Sequence, residues 1–307
     1  MALPTMDESC ILNRRCRTGP WLLLPGPMEG VTAGSWVEVL TRHRWVRAWW
    51  TPFLRISTGV PRRSRLSAWI APYLSTGLPV IAQIMGSDTA RLAETAVRLA
   101  ALGAAAIDLN CACPSREVVS SHAGGWHLQH PEWIGQMLLA MRRSCPGTPI
   151  SVKLRSGWDR PDFDERLSPI LNDVRPDLVT VHFRTVAEGY RAIGDGLDRL
   201  KRIRESLPQL TVLGSGDLFT IDAIRQMLDH TGVDGAAPAR GMLHNPRLLA
   251  DFADSGRRPP PFSPAEQHAF LREIASCGGS HGFVLQLAAN FFGTRSEQFR
   301  ALLDHRL

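Results

Sequence analysis

The sequence predicts a (β/α)₈ barrel, the TIM-barrel fold of the α/β class, followed by a small all-helical C-terminal domain. Short apolar, β-rich runs alternate with segments of helical periodicity over roughly 235 residues, as eight β/α units require. A doubly wound sheet would usually contain fewer strands over this length. A proline-rich stretch then separates the alternating region from three further helical segments.

The predicted strands are short runs of branched, aromatic and other apolar residues, bounded by turn-forming residues. They are Trp21–Leu24, Trp49–Phe53, Val80–Ile84, Ala105–Leu109, Ile150–Leu154, Leu178–His182, Leu210–Gly214 and Val233–Pro238. The helical segments between them often follow a capping Ser, Thr, Asp or Asn. The clearest are Thr89–Leu102, Glu132–Arg143, Asp195–Ser206, Thr220–Asp229 and Pro246–Phe252.

Three regions are expected along the chain. Residues 1–20 show no periodicity and are interpreted as a flexible N-terminal arm, and residues 21–256 as the barrel. Residues 257–307 begin with a stiff run of prolines and form the helical domain. Since this last region is too small to bury much apolar surface alone, we expect it to dock on the barrel. Its predicted helices are Ala265–Cys277, Phe283–Phe292 and Ser296–Leu307.

Composition is that of an ordinary globular protein with a basic balance. The formal charge is +6 and the isoelectric point is near 9.4, which suits a polyanionic partner without identifying one. Six cysteines at irregular spacings favour a reduced, cytoplasmic protein over a disulfide framework. The run Trp21–Leu24 is far too short to cross a membrane, so no membrane partner is expected.

If the barrel prediction holds, the chemistry lies at the carboxyl ends of the strands. Each predicted strand ends in, or is followed by, residues that carry chemistry. In strand order these are Pro27, Met28 and Glu29; Arg55; Gln83; Asn110 and Cys113; Lys153 and Arg155; His182 and Arg184; Ser215, Gly216 and Asp217; and Arg240 and Gly241.

Two of these residues are more informative than the others. Pro114 stops the fourth strand and holds Cys113 on a turn at its end, although both nearby cysteines also fit a role as small buried hydrophobes. Lys153 is one of two lysines among 35 Lys and Arg residues, so a compact ammonium has been kept on an apolar strand. Glycines after the last two strands suit a phosphate bound by backbone N–H groups.

These motifs, in this order, resemble those of the tRNA-dihydrouridine synthases, most nearly the bacterial C-type subfamily. The resemblance covers about residues 22–255. The matching segments are Pro27–Val31, Thr51–Arg55, Asp108–Ser115, Val152–Trp158, Val181–Thr185 with Gly189–Arg191, and Asp234–Gly235 through Arg240–Leu243.

The resemblance implies a barrel that binds FMN and a helical domain that helps to grip tRNA. It implies NADPH-dependent reduction of a D-loop uridine, at position 16 for the C-type subfamily. Pro27, Met28, Glu29, Gln83, Lys153, His182, Ser215, Gly216, Asp217, Arg240 and Gly241 would bind the cofactor. Arg55, Asn110, Arg155, Arg184 and Tyr190 would bind the substrate.

The reaction so implied needs a hydride from flavin N5 at C6 of the base and a proton at C5. Cys113 would supply the proton, because an unperturbed thiol is mostly protonated at neutral pH. Cys111 is then a structural strand residue. The target base must also leave its stack to enter the pocket.

Two alternatives remain open from the sequence. One is a catalytically weakened tRNA-binding paralogue, favoured by Ser215 and by Ala237-Pro238-Ala239, which differ from the family's usual residues. The other is a flavin-barrel oxidoreductase that acts on a small dihydropyrimidine. No metal site is expected, because Cys-x-Cys lacks the usual zinc-ligand spacing. We expect a monomer.

Overall fold

The fold is a parallel barrel with helices outside it, seen here in a computed structural model that describes residues 16–31, 34–254 and 260–304. The predicted TIM-barrel class is confirmed. The strands are β1 (Arg17–Thr18), β2 (Trp21–Leu23), β3 (Trp49–Trp50), β4 (Leu54–Ile56), β5 (Val80–Gly86), β6 (Ala106–Cys111), β7 (Ile150–Arg155), β8 (Leu178–His182), β9 (Val212–Ser215) and β10 (Gly235–Ala236).

Helices follow nearly every strand of the barrel. They are α1 (Gly34–Arg42), α2 (Arg63–Leu74), α3 (Thr89–Ala101), α4 (Arg116–Ser120), α5 (Pro131–Ser144), α6 (Phe163–Arg166), α7 (Ser168–Val174), α8 (Gly196–Ser206), α9 (Ile221–Thr231), α10 (Arg240–His244) and α11 (Leu248–Ala253), with a 3₁₀ helix at Gly124–Gln129. The C-terminal helices are α12 (Pro264–Ser276), α13 (His281–Phe292) and α14 (Glu297–Asp304).

The strands pair in the order β1-β2-β10-β9-β8-β7-β6-β5-β3, with β4 also paired to β5. All of these pairs are parallel except β1 with β2. Within the described residues, no backbone hydrogen bond joins β2 to β3. Side chains close the barrel there instead, because one apolar cluster includes inward-facing residues from both sides of this gap. Its members include Leu22, Leu24, Ala48, Trp50, Ile81, Ala106, Leu178 and Leu213.

The barrel interior changes from apolar to polar along the strands. Inward-facing positions recur every second residue, so Gln83 lies one layer above Ile81, and Asp108 one layer above Ala106. All four of these side chains are buried. Since an ordinary barrel interior is filled with branched apolar residues, a buried polar layer at the carboxyl end marks the functional side.

The second strand and the first two helices differ from the prediction. Of the predicted strand Trp49–Phe53 only Trp49–Trp50 forms a strand, β3, and β4 begins just beyond the predicted run; Pro52 between them has no N–H for a ladder. The sequence pattern did not indicate α1 or α2. Arg63 and Arg65 at the start of α2 and Pro72 within it obscure its helical period.

Both ends of the described part of the chain make defined contacts. Residues 1–15 of the expected arm lie outside the described residues, whereas Arg17–Thr18 form β1 against β2. The C-terminal helices pack on α1, where the Trp36 ring meets Phe270 and Phe283 edge-on at centroid distances of 5.9 and 6.4 Å. Arg42 and His43 pair with Glu273 at 3.0 and 2.7 Å. None of the described helices is long and apolar enough to cross a membrane.

Candidate active site

A cavity of about 300 Å³ opens at the carboxyl ends of the barrel strands. It is lined by nearly all of the side chains that the strand-end argument selected. Those in the lining are Pro27, Met28, Glu29, Gln83, Asn110, Cys113, Lys153, Arg155, His182, Tyr190, Ser215, Gly216, Asp217, Arg240 and Gly241.

Two predicted residues lie outside the lining. Arg55 forms an ion pair with the exposed Glu117 at 2.8 Å. Arg184 is buried and binds both carboxylate oxygens of Asp217, so it supports a lining residue. Direct contact of either arginine with a substrate stays a prediction.

Cys113 lies on a turn that the Asn110 side chain stabilises. Asn110 Oδ1 accepts hydrogen bonds from the N–H groups of Ala112 and Cys113, each at 3.0 Å. The N–H of Gly125 donates to the Cys113 carbonyl at 3.0 Å from the other side. Burial raises the pKa of the Cys113 thiol, so it stays protonated at neutral pH. Cys111, by contrast, faces the apolar layer outside the barrel.

Lys153 contributes an amine to the wall of the cavity. Burial, reinforced by the nearby Arg155 charge, lowers the Lys153 pKa to about 8, against partial compensation from Asp108 and Cys113. The side chain is therefore mostly charged at pH 7 and can lose its proton in the mildly alkaline range. A compact, partly desolvated ammonium favours an acceptor-rich or electron-rich ligand group.

His182 is a neutral donor. Its Nδ1 accepts a hydrogen bond from the N–H of Arg184 at 3.3 Å, which leaves the ring proton on Nε2. Burial, together with the positive charges of Arg155 and Lys153, holds the His182 pKa well below its usual range. A neutral imidazole at the cavity wall can donate a hydrogen bond without adding another charge.

The loops after β9 and β10 form a cradle of backbone N–H groups. Gly216 has a φ of +123°, which a side chain would strain. A Cβ on Gly241 would lie 1.8 Å from the Leu218 carbonyl oxygen, so only glycine allows this approach. The N–H groups of Gly216, Arg240 and Gly241 donate to no acceptor within the described residues. Free N–H groups at such a position suit a phosphate.

Arginines surround this cradle. Asp217 accepts from Arg184 and, at 3.1 Å, from Arg240. One carboxylate is thus shared by two guanidinium groups, and the loop keeps a positive balance. The Arg240 guanidinium also lies 4.6 Å from the centre of the Tyr190 ring.

Arg155 connects the Cys113 turn to the loop after β8. Its Nε donates to the Ala112 carbonyl at 2.8 Å, and its Nη1 donates to Thr185 and Gly189 at 2.9 and 2.8 Å. Tyr190 follows directly and is 58% exposed at the mouth of the cavity. The arginine therefore positions both the thiol and an aromatic platform.

Sequence reasoning missed two groups of residues here. The apolar part of the lining is indistinguishable from core residues by pattern, and includes Val31, Phe53, Leu218, Phe219 and Leu243. The buried Asp108 beneath the cavity accepts from Gln83 at 2.7 Å and from Ser151 at 2.6 Å. A carboxylate in an otherwise apolar strand was the available signal. The described part of the chain contains no cluster of three or more His, Cys, Asp or Glu side chains arranged for a metal.

A barrel whose polar interior opens beside a backbone N–H cradle on its last two strands is typical of the (β/α)₈ barrel enzymes. The sequence matches the family described as dihydrouridine synthase over residues 24–280. The chain belongs to this family of flavin oxidoreductases.

Similar curated proteins share the name tRNA-dihydrouridine(16) synthase. That of Vibrio vulnificus is 34% identical over 230 residues, which are 73% of this chain and 72% of the relative. That of Salmonella typhimurium is 33% identical over 74% of each chain. That of Pseudomonas putida is 30% identical over 81% of this chain and 79% of its own length.

Similar solved structures support the fold alone. The old yellow enzyme of Trypanosoma cruzi superposes with a TM-score of 0.56 at 8% identity, over 80% of this chain and 90% of that one. A 2-naphthoyl-CoA reductase gives a TM-score of 0.61 at 10% identity, over 86% of this chain and 55% of the other.

Proposed function

We propose that this protein is an FMN-dependent tRNA-dihydrouridine synthase that reduces uridine 16 of the tRNA D-loop with NADPH as reductant. The substrate and position are those in the names of relatives that are 30 to 34% identical over more than 70% of the chain. The observation that carries the proposal is the meeting, in one cavity, of a protonated thiol, a lysine and a phosphate-type cradle.

The residues present fit FMN. The unpartnered N–H groups of Gly216, Arg240 and Gly241, with Ser215 and the Arg240 charge, would hold its phosphate. Pro27, Met28, Glu29, Gln83, Lys153, His182 and Asp217 complete the proposed cofactor set. When bound and reduced by NADPH, FMN supplies the hydride that adds to C6 of the uracil ring.

Cys113 would supply the proton at C5. Its thiol faces the cavity and, because burial raises its pKa, it carries the proton at neutral pH. Asn110 holds the backbone of the turn, so the thiol is presented from a fixed position. The positive charges of Lys153 and Arg155 favour the negative charge that develops on the base before protonation.

The mouth of the cavity suits an extruded base. Tyr190 is exposed there, and the guanidinium groups of Arg155 and Arg240 lie 5.3 and 4.6 Å from its ring centre. Aromatic and guanidinium planes are the usual platforms for unstacked bases. Asn110, Arg155 and Tyr190 are therefore proposed to hold the uridine, with Arg55 and Arg184 supporting the surrounding loops.

We also propose a separate role for each of the two regions of the chain. The barrel, residues 21–256, would carry the reaction, and residues 257–307 would add a tRNA contact. The support is the packing of α12 and α13 against α1, which places the last helices in a defined position beside the barrel.

The deciding experiment compares wild type with Cys113→Ala and Cys113→Ser. Loss of a general acid typically costs about 10²- to 10⁴-fold in rate, so Cys113→Ala should lose dihydrouridine formation at position 16 to that extent. Its flavin absorbance and its reduction by NADPH should match wild type, since the thiol does not hold the cofactor. Cys113→Ser keeps the size of the side chain and tests whether a weaker acid suffices.

Other results would favour the alternatives. Wild-type tRNA modification by Cys113→Ala would disprove the proton-donor assignment. A wild-type chain without flavin, even after addition of FMN, would favour a weakened tRNA-binding paralogue. Turnover of a free dihydropyrimidine, with none on tRNA, would favour a small-molecule oxidoreductase.

A further inference from the structure

Asp108 is a buried carboxylate with no part in the mechanism above. It lies on β6 between Gln83 of β5 and Ser151 of β7, which are its partners in register on the two neighbouring strands. Gln83 Nε2 donates to one of its oxygens at 2.7 Å, and Ser151 Oγ donates to the other at 2.6 Å. Burying an ionisable group costs free energy, and these hydrogen bonds reduce that cost. The presence of a carboxylate at this buried position therefore needs an explanation.

The hydrogen bonds above Asp108 run in one direction only. Backbone N–H groups can only donate, so Asn110 must present its oxygen to Ala112 and Cys113. Its NH₂ group then faces Gln83 and donates to Gln83 Oε1 at 2.8 Å. Gln83 must consequently turn its own NH₂ group toward Asp108. The Gln83 NH₂ group at the end of this series needs an acceptor, and the Asp108 carboxylate provides it.

We propose that Asp108 is a positioning residue that, by accepting from Gln83, fixes both amides and through them the Cys113 turn. Each amide then keeps one N–H that no group among the described residues accepts, while the Asn110 oxygen accepts two hydrogen bonds. Gln83 and Asn110 both line the cavity. The ligand group that meets them is therefore a hydrogen-bond acceptor, such as a ring carbonyl, and a donor in its place is disfavoured.

The orientation of the amides stands on the hydrogen bonds alone. Only the identity of the acceptor, a carbonyl of the flavin or of uracil, rests on the proposed function. The test therefore begins with the cofactor-free chain. It measures hydrogen exchange at the Ala112 and Cys113 amides by NMR, which reports directly whether their bonds to Asn110 persist.

Three variants separate the acceptor role from charge and from packing. Asp108→Asn keeps an oxygen for Gln83 and can donate its NH₂ to Ser151 Oγ, so exchange at Cys113 should stay within threefold of wild type. Asp108→Leu removes the acceptor and should accelerate that exchange at least tenfold. Ser151→Ala is the matched control, since it removes the other partner of Asp108 but leaves the hydrogen bonds from Asn110 through Gln83 to Asp108 in place. Its exchange rate at Cys113 should stay within threefold of wild type.

Exchange at the β8 amides is the internal control, because a general loosening of the barrel would accelerate them as well. The FMN dissociation constant, from fluorescence quenching, should rise at least tenfold in Asp108→Leu and less than threefold in Asp108→Asn. If Asp108→Leu does not fold, Gln83→Met interrupts the same series one step later and should accelerate exchange at Cys113 at least tenfold.

The proposal is overturned if Asp108→Asn loosens the Cys113 amide as much as Asp108→Leu, since charge would then be the requirement. It is also overturned if neither Asp108→Leu nor Gln83→Met changes that exchange. A chain that follows the expected pattern but makes no dihydrouridine would disprove the proposed function and leave the positioning role intact.

Discussion

Arginine side chains in this protein serve largely as internal connectors. Arg142 donates to the Val174 carbonyl at 2.7 Å, and Arg204 donates to Leu207 and Gly232 at 2.8 and 3.1 Å. Arg155 binds three carbonyls at the cavity. A planar fork with five N–H groups can reach acceptors on several segments at once, with more donors and a more fixed geometry than the three N–H groups of a lysine. The basic composition is therefore partly a structural property and overstates the charge free for a polyanion.

Lys153 leads to a prediction about pH and stability. Its pKa is about 8 in the folded chain against 10.5 as the ordinary value, so the unfolded chain binds more protons between these pH values. The stability of wild type relative to Lys153→Met should therefore rise as pH increases from 8 toward 10. The slope is at most about 1.4 kcal/mol per pH unit. Urea unfolding of both chains at pH 7, 8.5 and 9.5 measures it.

Well below pH 8 both states hold the proton, and the difference between the two chains should be constant there. A difference that stays constant up to pH 10 would show that the folded chain leaves the Lys153 pKa at its ordinary value. Because both chains share nearly all other titratable groups, those contributions largely cancel in the comparison.

At the scale of elements, the decisive contact at the cradle is between two backbones. The loop after β9 and the first turn of α10 approach so closely at Gly241 that a methyl group would overlap the Leu218 carbonyl. This approach places the N–H groups of the two loops around one site. It also explains why glycine is required at a position whose φ is ordinary.

Gly241→Ala should disrupt this contact. Relief of the overlap must move one backbone, for which overpacking costs of about 1–3 kcal/mol are typical. We expect that loss in unfolding free energy together with weaker FMN binding. Gly194→Ala is the control, because nothing lies within 4 Å of its added methyl group, and it should change stability by less than about 0.5 kcal/mol. Equal effects of the two variants would contradict the close-contact explanation.

Helices and strands were predicted well where one hydrophobic pattern dominates the segment. They were predicted poorly where prolines or charged residues interrupt that pattern. β8 was placed at Leu178–His182 without error, since its short run of branched, buried residues begins directly after Pro176 and Asp177. α2 was missed because a basic start and Pro72 hide its period. Beside Pro52 the run predicted as Trp49–Phe53 is shortened to Trp49–Trp50, and the next strand starts only at Leu54.

The location of active sites at the carboxyl ends of barrel strands predicted which side chains reach the cavity, but it gave no information on their hydrogen-bond partners. Lys153 and His182 follow from position at strand ends. Arg184 occupies an equivalent position, yet the structure turns it beneath Asp217, because a buried guanidinium requires a carboxylate. The role proposed for Asp108 became visible only when its neighbours in register were known.

At the scale of the whole molecule, the C-terminal helices and the barrel share one apolar core. Phe270 is 3% exposed and contacts Trp36 and Trp45 of the barrel as well as Phe262 and Phe291 of its own region. Such mixed packing implies that the two regions unfold together.

Phe270→Ala should therefore destabilise the entire chain in a single transition. The loss typical of a buried phenylalanine is about 3–5 kcal/mol, measurable by urea unfolding followed by both tryptophan fluorescence and circular dichroism. Leu303→Ala, at a side chain that is 51% exposed, should change stability by less than about 0.5 kcal/mol. Two separated transitions in either probe would show instead that the helical region unfolds independently.

The gap between β2 and β3 bears on association between molecules. A fully closed barrel has no edge strands, whereas in the described sheet β1 pairs only with β2 and β3 pairs only with β5, and the free edge of such a strand can accept a strand from another chain. α1 connects these two strands, and its Thr41 hydroxyl accepts from Trp49 Nε1 of β3 at 3.0 Å. The C-terminal helices in turn lie on α1. The helix that connects the two sides of the gap is therefore itself held by the C-terminal helices, and we expect their loss to leave the edges of the sheet more open to association with other chains.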